Sequence, residues 1–484
     1  MIDLLLVNPG AARQNYGALS DGLTAIEPPI WCRIIAGYVR SRGFDVAVAD
    51  MEASGISPDA LGILARDMRP RLAAVVAHGH QPSASTQTMV AALPTAAILE
   101  SIGIPTILLG GHPSALPERT LRETSARYVC DGEGPITIEA LLNRCPEDFV
   151  PGLIWRDGEK IVANERARLL DVGTSELEGE AWDLFKLRRY RAHNWQCLGA
   201  WPRSPYASIY TSFGCPYRCS FCMINVPFHS NQYRARRPER VVREIEFLYR
   251  ERGVRTFKIA DEMFVLKPSH YLAICEGIAK LGIGEEINIW CYARVDTIRE
   301  GELDLLRRAG IRWIALGIET ADETVRDGAN KAIRPRDIVA VVRSIQDHSI
   351  SVIGNYIFGL PGDNRETMQA TLDLAMECRT EFANFYCAQA YPGSALYEKT
   401  VAEGRTLPES WSGYSQHSYD SRPLDTEYVS AREVLRFRDG AFQAYYTDDS
   451  YLRMLELKFG TEAVREVKAI TARPLARKLL EDAA

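Results

Sequence analysis

Short apolar runs alternate with helical stretches over the first third of the chain. Five of the runs end in turn or polar residues, and they read IDLLLV, FDVAVAD, LAAVVAH, PTILLGG and RYVCDGEG. Runs of this length between helices are typical of strands in a parallel, doubly wound α/β sheet. We therefore predict a Rossmann-like (flavodoxin-like) domain over residues 1–148, with its ligand in the loops that follow the strands.

A second alternating series begins near residue 205, with strand candidates YASIYTS, TFKIAD, INIWCYA, WIALGIE, SVIGNYIF and ANFYCAQA. Pro238 begins one of the intervening helices and Gly253 follows it, as expected of helix ends. Six such units favour a partial (β/α)6 barrel of TIM type over residues 201–395. A linker with a hairpin (residues 149–200) is predicted before the barrel, and a mostly helical region (residues 396–484) after it.

The charge and hydropathy of the chain argue against two classes of partner. A net charge of −6 and a pI of about 5.9 give no broad attraction to nucleic acid. No apolar run approaches the roughly 20 residues that span a bilayer, and the first residues lack a basic leader. We therefore expect a cytoplasmic protein that binds neither nucleic acid nor membrane.

Three of the eleven cysteines, Cys215, Cys219 and Cys222, lie within one octet directly after the first barrel strand. A structural zinc site needs a fourth ligand, and a redox Cys-x-x-Cys pair leaves Cys215 unexplained. An iron–sulfur cubane held by three thiolates leaves one iron open for another ligand. The spacing therefore favours a catalytic cluster over zinc or a simple electron carrier.

The segment GCPYRCSFC resembles the signature of the radical S-adenosylmethionine (SAM) superfamily, Cys-x3-Cys-x2-Cys, and Phe221 matches the aromatic residue before the last cysteine. The resemblance implies that these cysteines are the catalytic ligands of a 4Fe-4S cluster. The cluster's open iron would bind SAM and cleave it to a 5′-deoxyadenosyl radical. The resemblance also implies an electron donor such as flavodoxin or ferredoxin.

The same resemblance implies that SAM contacts lie at the ends of later barrel strands. Asp261 and Glu319 each end a strand, and Arg294 could pair with the methionine carboxylate. Gly359, within GNYIFGLPG, would let the backbone approach a ligand. The alternative is that these are ordinary salt-bridge and turn residues. The basic run QYRARRPERVVRE is predicted to be a solvated helix start, with an anion pocket as the alternative.

The loops GGHPSALPE and CDGEGP resemble those of the cobalamin-binding domain that precedes the barrel in class B radical SAM proteins. The implied cobalamin contacts are Ser83, Gly110, Gly111, His112, Ser114, Gly132, Glu133 and Gly134. The Asp-x-His-x-x-Gly motif of the B12 mutases is absent, so the lower axial ligand of cobalt stays unassigned. His78, His80 and His112 lie at strand ends, where we expect structural histidines rather than cobalt ligands.

The resemblance implies a B12-dependent radical SAM methyltransferase that acts on an unactivated carbon, or on phosphorus, of a small molecule. Methylcobalamin would supply the methyl group, and the 5′-deoxyadenosyl radical would activate the acceptor. One alternative keeps these cofactors without net methyl transfer, as in cyclisation or ring contraction. Another is a non-catalytic iron–sulfur or corrinoid sensor.

Overall fold

The computed structural model describes residues 1–20, 22, 24–79, 83–173, 181–199, 201–331 and 337–481. Its first sheet has seven strands in the order β2-β1-β3-β4-β5-β6-β7. They are β1 (Ile2–Asn8), β2 (Val46–Asp50), β3 (Pro70–Val76), β4 (Thr106–Leu109), β5 (Tyr128–Cys130), β6 (Leu153–Asp157) and β7 (Lys160–Ala163). We call this sheet with its helices the first unit.

Strands β1 to β5 are parallel, in the flavodoxin-like order, which confirms the predicted fold class. Strands β2 and β3 lie on opposite sides of β1 in the sheet. The strand order therefore reverses beside β1, which opens a crevice for a ligand. The hairpin that the sequence predicts within residues 149–200 is β6–β7. It pairs antiparallel with β5, and therefore extends the first sheet.

The second sheet has six parallel strands in the order β15-β14-β13-β12-β11-β8, which confirms the predicted open barrel. The remaining strands are β8 (Tyr206–Ile209), β9 (Ser212–Phe213), β10 (Arg234–Ala235), β11 (Thr256–Ile259), β12 (Asn288–Arg294), β13 (Ile311–Glu319), β14 (Ser351–Phe358) and β15 (Phe382–Cys387). The short ribbon β9–β10 flanks the loop that carries the three clustered cysteines.

Helices cover both sheets, as their near-continuous apolar strands require. They are α1 (Ala12–Tyr16), α2 (Ile30–Ser41), α3 (Met51–Ser54), α4 (Pro58–Met68), α5 (Ala84–Ser101), α6 (Gly111–Ala115), α7 (Pro117–Glu123), α8 (Pro135–Leu142), α9 (Pro238–Arg252), α10 (Pro268–Leu281), α11 (Glu300–Arg308), α12 (Glu323–Gly328), α13 (Ile338–Asp347), α14 (Arg365–Cys378), α15 (Ala395–Ala402), α16 (Ala431–Tyr446), α17 (Asp449–Phe459), α18 (Thr461–Thr471) and α19 (Lys478–Glu481). As predicted, Pro238 begins α9 and Gly253 caps it with a φ of 68°. No helix in the described ranges combines the length and the apolar character needed to cross a membrane.

Buried charges join the first unit to the barrel. Lys258 Nζ on β11 lies 3.0 Å from Glu27 Oε2, and both side chains are buried. Arg33 on α2 pairs with the buried Glu244 of α9 at 3.0 Å. Since a buried charge is stable only when it is paired, these contacts fix how the two units face each other.

The C-terminal region contacts both units near the carboxyl ends of their strands. The Phe385 ring on β15 packs edge-on against Tyr445 of α16, with 5.6 Å between the ring centroids. The hydroxyl of Ser415 donates to the backbone oxygen of Asn15 at 2.9 Å. This region therefore closes one side of the space between the first unit and the barrel.

Candidate active site

The loop between β9 and β10 carries all three clustered cysteines. It begins at Gly214, whose φ of 80° favours glycine and whose absent Cβ leaves room for the Gln232 carbonyl. The Asn225 side chain accepts from the Cys215 N–H at 2.9 Å and donates to the Cys215 oxygen at 2.7 Å. These contacts hold the loop closed around its cysteines.

The thiols of this loop fit a cluster with one open iron. Cys215, Cys219 and Cys222 are free thiols. Burial raises the pKa of Cys215 to about 11, and it raises that of Cys222 with added effects from the other two thiols. No group of three or more metal-binding side chains is drawn together in the described part of the chain. The donor set is nevertheless three soft ligands on one loop, which leaves the fourth position to a non-protein ligand.

Asp261, a predicted SAM contact, is fully buried and already satisfied within the protein. Its carboxylate accepts from the Thr211 N–H at 2.5 Å and from the Ser212 hydroxyl at 2.6 Å. Burial raises its pKa. Asp261 therefore ties the end of β11 to the start of the cysteine loop, and its contact with SAM stays a prediction.

Arg294 lies against the cysteine loop. Its guanidinium stands 3.8 Å from the centre of the Tyr217 ring and pairs with Asp296 at 2.9 Å. The arginine also lowers the thiol pKa of Cys219, although burial of that thiol has the larger, opposite effect. A cation at this place suits the predicted role of holding a carboxylate beside the loop.

Glu319 has a φ of 67°, a left-handed conformation that a non-glycine residue rarely adopts. It pairs with the buried Lys331, which the sequence analysis missed because no spacing links the two. A Cβ on Gly317 would lie 2.6 Å from Lys331 Nζ and 2.7 Å from Glu319 Oε1, so a side chain there would displace the charged ends of this pair. Backbone strain of this kind is typical of functional sites.

Two other groups of predicted residues have structural partners. A Cβ on Gly359 would lie 2.7 Å from Val434 of α16, so packing against that helix accounts for the glycine.

In the basic run, Arg234 pairs with Glu133 at 2.9 Å and the buried Arg236 pairs with Glu244 at 2.7 Å. The expectation of a solvated helix start is therefore wrong for these two arginines, because each neutralises a buried carboxylate.

Gly110 and Gly111 directly follow β4 at the edge of the first sheet. We call these two residues the glycine floor. Gly110 has a φ of 143°, and a Cβ there would collide with the Ala77 carbonyl. The Ser85 hydroxyl accepts from the His112 N–H at 2.8 Å. His112 is fully buried, and its Nε2 finds no hydrogen-bond partner among the residues described. A flat ligand fits a floor that carries no side chains, whereas the His112 ring is enclosed beneath it, with the Trp411 ring centroid 4.3 Å away.

The loop after β5 lies beside this floor. Ser114 accepts from the Gly132 N–H at 3.0 Å and so joins the two loops, while Gly132 and Gly134 both have positive φ. Glu133 is buried and pairs with Arg234, and Ser83 lies on the turn that leads into α5. The structure thus brings the predicted cobalamin contacts to one edge of the sheet; their contact with the ligand stays a prediction.

A cavity lies between the first unit and the barrel, beside the contact of Gly111 with Met223. It is lined by Glu27, Pro28, Ile30, Trp31, His78, Gly79, Gly111, Tyr210, Ile224, Pro227, Phe228 and Glu262. His78 stacks on Trp31 with 4.4 Å between ring centroids, and its Nε2 is unpaired within the described ranges. Burial raises the pKa of Glu262, which the sequence analysis missed, to about 8. His80, the third histidine considered from the sequence, lies outside the described residues.

The two buried histidines predict a loss of stability in mild acid. Burial lowers the pKa of both His78 and His112 to about 3, whereas a free histidine titrates near pH 6.5. As the pH falls below about 6.5, these histidines therefore bind protons in the unfolded chain but stay neutral in the folded protein, which favours unfolding. We expect each histidine to remove about 2 kcal/mol from the free energy of unfolding between pH 7 and pH 5, measured by urea denaturation.

A matched pair of variants assigns this effect. His112→Gln and His78→Gln should each flatten the pH dependence by one histidine's share. Equal pH dependence in all three proteins would contradict the assignment.

The fold and the site define an enzyme in which an open α/β barrel with a three-cysteine loop faces a flavodoxin-like ligand unit. The sequence matches the radical SAM superfamily over residues 209–375 and the B12 binding domain over residues 21–142. The chain therefore belongs to the cobalamin-dependent radical SAM enzymes, with the B12-binding domain in front of the radical SAM domain.

Individual relatives agree with this assignment. The chain is 26% identical over 395 residues to an uncharacterized methyltransferase of Pyrococcus horikoshii, covering 80% of this chain and 82% of the relative. It is 25% identical over 444 residues to the anaerobic magnesium-protoporphyrin IX monomethyl ester cyclase of Cereibacter sphaeroides. This match covers 89% of this chain and 68% of the relative. The structure of the radical SAM methyltransferase TsrM from Kitasatospora setae, with cobalamin and a 4Fe-4S cluster bound, shares the fold, with a TM-score of 0.68 over 98% of this chain and 100% of that chain at 18% identity.

Proposed function

We propose that the enzyme transfers a methyl group from SAM, with cobalamin as carrier, to an unactivated carbon or phosphorus of a small molecule. One observation carries the proposal. A Cβ on Gly111, in the floor of the first unit, would lie 3.0 Å from Cε of Met223, the residue after Cys222. The floor that fits a corrin and the loop that fits a cluster are therefore in direct contact, so that one acceptor could reach both.

When bound, the cluster supplies an electron for cleavage of SAM, and the corrin supplies a transferable methyl group. The residues of the chain would bind these groups and orient them. Cys215, Cys219 and Cys222 would hold the cluster, and Arg294 would hold the carboxylate of SAM beside it. Gly110 and Gly111 would let the corrin lie flat against the first unit.

Aromatic side chains line part of the cavity between the two units and would keep water from the reacting groups. Trp31 and Phe228 are almost fully buried, with 6.2 Å between their ring centroids, and they wall one side of the cavity. Dry surroundings protect a reactive radical from side reactions. We further propose that the electron comes from a small carrier such as flavodoxin or ferredoxin, and that the enzyme works in the cytoplasm.

A second candidate keeps the same cofactors without net methyl transfer. It is favoured by the likeness to the Cereibacter sphaeroides cyclase, which spans 89% of this chain. The arrangement of cysteine loop and glycine floor suits either reaction, because both begin with a radical formed beside the corrin. The stoichiometry of the reaction therefore has to decide between the two.

Isotope counting separates the candidates. Reconstituted enzyme is incubated anaerobically with a reductant, a cell extract and SAM that carries a labelled methyl group. For methyl transfer we expect about two SAM consumed for each labelled product, one as methyl donor and one cleaved to 5′-deoxyadenosine. Formation of 5′-deoxyadenosine with an unlabelled product would favour the second candidate. Protein that forms neither 5′-deoxyadenosine nor a labelled product would favour the sensor.

A further inference from the structure

A group of uncharged polar side chains lies where the first unit, the last barrel strand and the C-terminal region meet. We call it the neutral polar cluster; its members are Asn15, Tyr16, Tyr386, Gln389, Tyr391 and His417. Tyr16 and His417 pack together with 5.5 Å between ring centroids, although one belongs to α1 and the other to the C-terminal region. The Gln416 side chain bonds both backbone groups of Cys387 at 2.9 Å and so holds His417 beside β15.

The three tyrosines of the cluster lie near one another. Burial raises the pKa of Tyr386, and the neighbouring Tyr391, Tyr16 and Glu319 raise it further. Glu319 also raises the pKa of the Cys219 thiol. Glu319 therefore lies near both Tyr386 of the cluster and Cys219 of the cysteine loop.

Several polar atoms of the cluster are unsatisfied. Asn15 is 2% exposed and Gln389 is 3% exposed. Within the described ranges, Asn15 Oδ1, both side-chain amide atoms of Gln389 and His417 Nδ1 are buried without a hydrogen-bond partner. An unsatisfied buried polar group costs about 1–3 kcal/mol, so such a concentration indicates a ligand that supplies the missing bonds.

The cluster offers this ligand no net charge. Burial lowers the pKa of His417 far below its ordinary value, with the nearby arginines adding to the effect, so the imidazole is neutral. Outside the six members, Arg438 and Arg477 share the single carboxylate of Asp439, at 2.7 and 3.2 Å, and each also donates to a backbone oxygen, of Phe385 and Ser418 respectively. Lys331 pairs with Glu319. A phosphate or carboxylate placed here would lose its water without gaining an unpaired cation from the cluster's described residues.

An acceptor of the proposed reaction has to reach both cofactor sites, and this cluster takes residues from both units. We propose that the neutral polar cluster binds the methyl acceptor, and that the part bound there is uncharged, planar and hydrogen-bonding, such as a heteroaromatic ring or an aromatic amide. Three tyrosine rings suit a planar group, and the free amide and imidazole atoms suit its donors and acceptors. This inference rests on the proposed function and deepens it.

Separation of the acceptor by charge tests the proposal. A cell extract is divided by ion exchange into neutral, anionic and cationic fractions, and each is incubated with the holoenzyme, a reductant and methyl-labelled SAM. We expect the label in a product from the neutral fraction that absorbs in the ultraviolet as an aromatic ring does. An acceptor from a charged fraction, or a neutral product without a ring, would overturn the inference and leave methyl transfer intact. No labelled product in any fraction would contradict the proposed function itself.

A matched pair of tyrosine variants tests the location. Tyr386→Phe removes one hydroxyl from the cluster, whereas Tyr428→Phe removes one from a residue that is 64% exposed. We expect Tyr386→Phe to raise the KM for the active fraction about tenfold, with a smaller change in kcat, as for a lost hydrogen bond to a bound ligand. Tyr428→Phe should behave as the wild type. A rise in the KM for SAM rather than for the acceptor would place Tyr386 at the SAM site and overturn the inference.

Discussion

Replacing Cys222 with Ala should reduce 5′-deoxyadenosine formation to background and leave the corrin bound. The loss is complete because a cubane held by three thiolates keeps no stable ligand set when one is removed. The corrin is retained because its floor belongs to the loop after β4, on the other unit. Product analysis by liquid chromatography, with iron determination and the corrin absorption spectrum, measures both effects. Cys215→Ala and Cys219→Ala should give the same result.

Cys145→Ala is the matched control. Cys145 is a free, partly exposed cysteine after α8, away from the loop between β9 and β10. We expect this variant to keep the iron content and the 5′-deoxyadenosine formation of the wild type. Activity retained by Cys222→Ala would refute the cluster, and activity lost in Cys145→Ala would show that thiol loss harms the protein in a general way.

Much of the fold could be predicted because its strands are apolar runs of ordinary length. The six barrel strands and the five parallel strands of the first sheet lie where the alternation of apolar runs and helices indicates them. The pairing of the β6–β7 hairpin could not be predicted in this way. It depends on the exposed edge of β5, and an available sheet edge leaves no mark in the hairpin's own sequence.

The cysteine loop could be predicted because its chemistry is local. Three cysteines at fixed spacing within one octet of sequence are enough to predict a cluster site. The partners of other residues come from distant parts of the chain, as when Thr211 and Ser212 bind Asp261, or when α16 covers Gly359. A strand end with a carboxylate therefore indicates a site without showing whether that carboxylate faces a ligand or another part of the protein.

The neutral polar cluster had no signal in the sequence for the same reason. Asn15 and Tyr16 follow the first strand, while Gln389 follows the last barrel strand. Each of these residues is unremarkable where it stands in the sequence. Only the contact between the first unit, β15 and the C-terminal region turns them into one group with unsatisfied hydrogen bonds. Cofactor sites that rest on short motifs are thus easier to predict than an acceptor site built from three regions.

The glycine floor of the first unit allows a test of the corrin site that does not unfold the protein. Gly110 and Gly134 have positive φ, and side chains there would meet the Ala77 backbone and Leu109. Substitution at either glycine would therefore strain the sheet edge itself. Gly111 is different, because its nearest neighbours are the flexible end of Met223 and the Ser85 side chain. A large residue at Gly111 would push against these two side chains and would enter the place proposed for the corrin.

Gly111→Phe should therefore weaken corrin retention about ten- to a hundredfold, the loss in affinity that corresponds to overpacking a close contact. The corrin absorption of the purified protein measures the loss, while the iron content should stay at the wild-type value because Met223 can swing away from the new ring. Gly301→Phe on α11 is the control, since a side chain there meets nothing within 4 Å in the described ranges. A Gly111→Phe protein with unchanged corrin absorption would place the corrin elsewhere, and one that lost iron in parallel would show that the floor and the cysteine loop cannot be separated.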